Sequence, residues 1–127
     1  MAYMPRKGDF VVLTFDPQSG HEQKGRRPAI VISNTLFNHH TGLAVVCPIT
    51  NTDRNFPFHV RVPDESSLSG FIMVEQVTSV DFKQHKIKFI DHSSPETLND
   101  VLGVPDACIY QEEGLITEGM PEGHSHV

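Results

Sequence analysis

Six apolar runs of five to ten residues fill most of positions 9 to 90: DFVVLTF (9–15), RPAIVISN (27–34), LAVVCPIT (43–50), FPFHVRV (56–62), FIMVEQVTSV (71–80) and KIKFI (86–90). They are short and rich in Val, Ile, Phe and Thr, which marks strands rather than helices. DPQSG, NHHTG, NTDRN and PDESSLSG, which separate them, carry turn and loop residues. Gaps this small leave little room for crossover helices, so the strands are expected to pair antiparallel in a strongly bent sheet or small barrel. No repeat of 20 to 50 residues breaks this into smaller units.

After the last run, SSPETLNDVL starts a helix. Ser94 is the expected N-cap, Pro95 takes the first helical position, and Glu96 meets the positive end of the helix dipole. Leu98, Val101 and Leu102 then share one face, and Gly103 and Pro105 are expected to stop or kink the helix before DACIY. The last residues, QEEGLITEGMPEGHSHV, mix acids with Gly and Pro and have little to bury. The expected organisation is one mainly β domain over residues 1–110 and an acidic, disordered tail over 111–127.

A chain of 127 residues with 38% hydrophobic content supports one core. Cys47 and Cys108 lack the spaced partners of a disulfide framework or a zinc site, and both are expected to be small buried hydrophobes. The N-terminus has no signal-peptide core, and no run of 18 apolar residues occurs, so a cytoplasmic protein without a membrane partner is expected. The net charge is −6, but it is unevenly spread. Residues 1–88 hold all ten bases against eight acids, a balance of +2, and residues 89–127 hold eight acids and no base, a balance of −8. Nucleic-acid affinity follows local potential rather than whole-chain charge, so a polyanionic partner remains open.

The most charged loop is GHEQKGRRP, residues 20–28. Arg26 and Arg27 open a strand, and Pro28 restricts Arg27 to extended backbone. A guanidinium keeps its proton and can clamp a phosphate bidentately; the competing reading is a solvated surface pair. Glu22 is an acid, a base or a clip for an arginine, or a solvated loop charge. Thr50, at the end of AVVCPIT, either donates to a phosphoryl oxygen or caps a turn. Eight histidines invite a metal site or a catalytic pair, yet His39-His40 and His124-x-His126 have no companions at ligand spacing, and His59 is expected on the exposed face of its strand. GxxxxGK[ST], GxGxxG and HExxH are all missing.

Four of these stretches occur together and in order: GDFVVLTFDPQSGHEQKGRRPAIVIS, CPIT, FPFHV and MVEQVTSVD. Over about residues 6 to 102 the chain resembles the MazF/PemK (Kid) family of toxin endoribonucleases, with the loop signature G-x-E-Q-x-G-x-R-P intact from Gly20 to Pro28. The resemblance implies a small SH3-like antiparallel barrel with a C-terminal helix, as in MazF and gyrase-inhibitor toxins, and a homodimer. It also implies cleavage of single-stranded RNA without metal or other cofactor, an antitoxin partner, and DNA contact only through that antitoxin. The family's arginine before proline falls on Arg27, its strand-end threonine on Thr50 and its loop acid on Glu22. Phe56, Pro57 and Gln76 match groove positions, and Gln23, Lys24 and Arg26 join them as expected RNA contacts.

The chemistry fits that assignment. RNA carries its own nucleophile, the 2′-hydroxyl, so cleavage needs in-line geometry, proton transfer and neutralisation of a crowded phosphorane. Arg27 would clamp the phosphoryl oxygens and donate to the leaving oxygen, Thr50 would donate to a non-bridging oxygen, and Glu22 would orient Arg27 or accept the 2′ proton. The alternative is a non-enzymatic inhibitor of DNA gyrase, because that toxin group shares the barrel.

Overall fold

The computed structural model describes residues 2–15 and 25–111. Its strands are β1 (Asp9–Thr14), β2 (Arg26–Val31), β3 (Leu43–Thr50), β4 (His59–Arg61), β5 (Phe71–Met73), β6 (Thr78–Asp81) and β7 (Lys88–His92). Two helices join them, α1 (Thr35–Thr41) and α2 (Pro95–Pro105). All pairings are antiparallel, in the order β4-β5-β3-β2-β1-β7, with β6 also on β3. This is the expected SH3-like antiparallel architecture with a C-terminal helix, its strand path left open between β4 and β7 among the described residues.

The bend is made at β3. One edge of that strand pairs with β2 through Ala29↔Pro48, Ile30↔Cys47 and Val31↔Val46. The other edge is divided, with Leu43–Val46 facing β6 and Ile49–Thr50 facing β5. The change of partner falls at Cys47-Pro48, and Pro48 has no N–H to give a continuous ladder. The run at 71–80, read as one strand, is accordingly two, separated by a 3₁₀ turn at Val74–Gln76 closed by Val77 N–H donating to Val74 O at 3.1 Å.

Curling buries both faces of β1 to β3, which is why these strands are continuously apolar rather than alternating. On one side Phe10, Ile30, Cys47, Ile49 and Ile72 pack with Val101 of α2, and Leu98 and Val104 close over them. On the other, Val11, Leu13, Ala29, Val31 and Val46 pack with Val80 and Phe82. Burial pushes the Cys47 thiol up to about 12, with the Glu75 carboxylate adding to the effect.

Ser94 caps α2 as expected, its Oγ accepting from Thr97 N–H at 3.1 Å, with Pro95 in the first turn. The α-helix stops at Pro105, before DACIY as expected, but Gly103 lies inside it and does not interrupt it; one π-helical turn, Asp106–Tyr110, follows. Gly103 faces open space, and Pro105, the last α-helical residue, has no N–H for the carbonyl four residues back. Cys108 is exposed, against the expectation of burial, because this turn lies past the part of α2 that meets the sheet.

Helix α1 stands where NHHTG suggests only a turn or loop. Asn34 Oδ1 accepts from Phe37 N–H at 2.8 Å, and Gly42 ends the helix in left-handed geometry with φ 75°. Asn38, fully buried, donates to Pro5 O at 2.9 Å and anchors the N-terminal arm. No helix among the described residues is long and apolar enough to cross a membrane. The expected acidic tail lies outside the described residues beyond Gln111.

Candidate functional site

The two neighbouring arginines have different fates. Arg26 donates from Nη1 to Thr14 Oγ1 at 3.1 Å and from Nη2 to Lys86 O at 2.9 Å, so its charge fastens β2 to the chain beside β1 and β7. Arg27, paired with Leu13 across β1, is exposed and has no hydrogen bond or ion pair among the described residues. Alternation along the strand sends the two guanidiniums to opposite faces. The structure thus commits Arg26 to support and leaves Arg27 available to a ligand.

The β2–β3 register ends on Ala29↔Pro48. The pairing stops there, two residues short of Arg27 on β2 and two short of Thr50 on β3. Thr50 is paired with Phe71, and Phe71 with Arg61. Residues opposite one another in a sheet project to the same face, so Thr50, Phe71 and Arg61 form one row across β3, β5 and β4. Thr50 Oγ1 accepts from Thr52 N–H at 3.2 Å, which leaves its hydroxyl hydrogen free to donate to a ligand. Gly70 makes the row possible: at φ 130° its backbone passes so close to β3 that an added Cβ would lie 2.6 Å from Thr50 O.

The row opens into a cleft of about 440 Å³ lined by Asp53, Asn55, Phe56, Pro57, His59, Arg61 and Phe71. A smaller hollow of about 220 Å³ shares Arg61 and Phe71 and reaches Gly70. Phe56 packs edge-on against Phe58 at 5.4 Å and against His59 at 5.2 Å, and remains 41% exposed. An aromatic with a free face beside exposed guanidiniums is suited to unpaired bases and phosphates. Arg61 also pairs with Asp64 at 2.7 Å, but both side chains are solvent-exposed, so the pair is weak and easily exchanged for a phosphate.

Of the expected site residues, Phe56 and Pro57 line the cleft, Thr50 stands in the row that leads to it, and Arg27 is exposed on the neighbouring strand β2. Gln76 is exposed at the end of the 3₁₀ turn and is not in the cleft lining. Glu22, Gln23 and Lys24 lie outside the described residues. Arg61, Phe71 and Gly70 went unnoticed in the sequence, where nothing distinguishes them from ordinary strand and turn residues. His59 corrects an expectation. Its side chain is 4% exposed and its Nε2 lies 3.0 Å from Glu75 Oε2, because the short strand β4 brings it against the turn that carries Glu75. Among the described residues, no group of three or more His, Cys, Asp and Glu is placed to hold a metal ion.

A family model described as the PemK-like, MazF-like toxin of type II toxin-antitoxin systems matches residues 6–104. The chain belongs to this family. It is 38% identical over 101 residues to the endoribonuclease toxin ChpB of Escherichia coli K12, covering 76% of this chain and 86% of that one. It is 36% identical over 78 residues to the endoribonuclease toxin MazF of the same strain, covering 61% and 69%. The crystal structure of a MazE-MazF complex (Form-III) from Deinococcus radiodurans superposes with a TM-score of 0.78 at 31% identity, covering 87% of this chain and all of the other. The family match spans Arg27, Thr50 and the aromatic cleft.

Proposed function

We propose that this MazF/PemK family member is the toxin of a toxin-antitoxin pair and cuts single-stranded RNA at a short sequence by 2′-hydroxyl attack. The observation that carries the reading is an exposed Arg27 on β2 two residues past the last β2–β3 pair, with Thr50 equally far along β3 in a row that leads through Phe71 and Arg61 to an aromatic cleft. A phosphodiester seated there meets two donors on one face. Arg27 neutralises the phosphoryl oxygens and donates a hydrogen bond to the departing 5′-oxygen, which takes its proton from water, and the Thr50 hydroxyl donates to a non-bridging oxygen. Glu22 takes the 2′ proton, or orients Arg27 while water takes that proton. The products are a 2′,3′-cyclic phosphate, opening to a 3′-phosphate, and a 5′-hydroxyl.

The same reading gives RNA contacts to Gln23, Lys24, Phe56, Pro57 and Gln76. Arg26 acts chiefly by holding β2 in place. A cognate antitoxin with an acidic, extended segment would cover the cleft. Two copies of the chain would pair to make a longer groove. DNA would be met only through the antitoxin, and the pair would work in the cytoplasm.

Incubating the pure protein in EDTA with a long single-stranded RNA tests this. Cleavage with 5′-hydroxyl ends, abolished at positions carrying 2′-deoxy sugars, is expected. Cutting that ignores the 2′-deoxy substitution sinks the proposal. Intact RNA together with inhibited gyrase transfers the assignment to the gyrase-inhibitor alternative.

A further inference from the structure

His59 is the one polar side chain of the cleft that is almost wholly buried, and half of its hydrogen-bonding capacity is unused. Its Nε2 lies 3.0 Å from the Glu75 carboxylate, which can only accept, so in the neutral ring Nε2 carries the proton and Nδ1 is an acceptor. Nδ1 is buried and has no hydrogen-bond partner among the described residues. A buried unmet acceptor is costly, and where it lines a ligand cleft, as His59 does and Ser93, whose Oγ is the other unpartnered buried atom among the described residues, does not, it marks where a ligand donor belongs. Glu75 does more than occupy Nε2: it fixes which nitrogen accepts and in which direction the ring points.

The cover over the imidazole is removable. The Phe56 ring packs edge-on against it at 5.2 Å and an angle of 79°. Phe56 belongs to residues 51–58, which are exposed throughout and form no strand or helix, so moving the ring breaks no ladder bond. A flat base of similar size can take the same place. Arg61, two residues along β4 on the same face, then lies within the same cleft to hold a base acceptor or a phosphate.

We propose that His59 is a specificity-determining residue of the cleft, its Nδ1 accepting a hydrogen bond from an N–H of one unpaired base that displaces the Phe56 ring. The inference rests on the RNA reading of the cleft and says which residue reads one position of the target. Bases that present an N–H to Nδ1 are preferred over those that present an acceptor, by about tenfold, the worth of one such bond.

The test is binding of short 2′-fluoro RNA oligonucleotides, which lack the nucleophile, by fluorescence anisotropy, with every base at every position. Wild type should show a preference of about tenfold at the position read by His59. His59→Gln, which reaches toward Glu75 but has no atom at Nδ1, should narrow that position to within about threefold and leave the others unchanged. His59→Asn, whose amide oxygen stands near Nδ1, should keep most of the preference. If His59→Gln does not fold, wild type against oligonucleotides with N-methylated bases that remove the donor should lose the preference. Equal weakening at all positions, or an unchanged preference, overturns the proposal. Base-selective binding by a wild type that never cuts RNA refutes the nuclease reading alone, and cutting whose sequence preference survives His59→Gln refutes this inference alone.

Discussion

Gly70→Ala perturbs the site from behind. Two costs are expected. An alanine must adopt φ near 130°, a region nearly closed to L-residues, at about 1–3 kcal/mol. Its methyl would also lie 2.6 Å from Thr50 O, 3.1 Å from Ile49 Cγ2 and 3.3 Å from the Thr50 carbonyl carbon, so β5 must retreat from the end of β3 by about half an ångström, and overpacking of this kind costs about 1–3 kcal/mol. The total is about 2–6 kcal/mol, a large part of the 5–15 kcal/mol typical of a domain. Gly42→Ala is the matched control: its φ is also positive, at 75°, but nothing lies within 4 Å of the added methyl, so only the backbone cost of about 1 kcal/mol remains. With a urea slope of about 1.5 kcal/mol per molar, the unfolding midpoint should fall by about 1.3–4 M for Gly70→Ala and by less than 1 M for Gly42→Ala. RNA cleavage measured where both variants are folded should fall at least tenfold for Gly70→Ala and stay near wild type for Gly42→Ala, because only the first moves Thr50. Equal destabilisation by the two, or full activity in a folded Gly70→Ala, would refute the claim that the close seat of β5 on β3 sets the Thr50 position.

Arg26→Ala should lower stability by about 1–2 kcal/mol through loss of its bonds to Thr14 and Lys86, whereas Arg27→Ala should leave the urea midpoint unchanged; the reverse order would invalidate the division of labour between them. Gly103→Ala, in a helix and facing open space, should raise stability by about 0.5–1 kcal/mol, visible as a melting temperature higher by a few degrees, and a decrease would show that the helix breaks there after all. Cys47 has its thiol pKa raised by burial to about 12, so the unfolded chain releases this proton near pH 9 while the folded one keeps it. Its contribution is therefore complete below about pH 9 and is lost as pH rises from 9 toward 12, by up to about 1.4 kcal/mol per pH unit, and Cys47→Ala should flatten that part of the stability profile. Exposed Cys108 should react with a thiol reagent in the native state while Cys47 stays protected until unfolding.

The parts legible in the sequence were those where local pattern and tertiary context agree. β1, β2 and β3 carry β-branched runs that end up buried on both faces, so their pattern and their place coincide. The Ser94-Pro95 start of α2 is a local device and was read correctly. The division of 71–80 was not legible, because FIMV and VTSV have the same strand character; it is forced by β3, whose one edge serves two partners. Helix α1 has two turns and no apolar stripe, and only its caps, Asn34 and Gly42, signalled it. At the site, Arg27 and Thr50 are legible through motif and order along the chain, but their placement just past the last pair of two neighbouring strands follows from pairing register. Arg61, Phe71 and the burial of His59 are consequences of how β4 and β5 attach to the end of β3, a long-range arrangement that no window of sequence contains.

The most direct test of the central claim is single-turnover cleavage of a mapped single-stranded RNA in EDTA by wild type, Arg27→Ala, Thr50→Val and the double variant. Two donors that act on one phosphodiester predict a loss of a hundredfold to a thousandfold for each single variant, and a double variant less impaired than the product of the two. Cleavage by Arg27→Ala within a few fold of wild type would contradict the account.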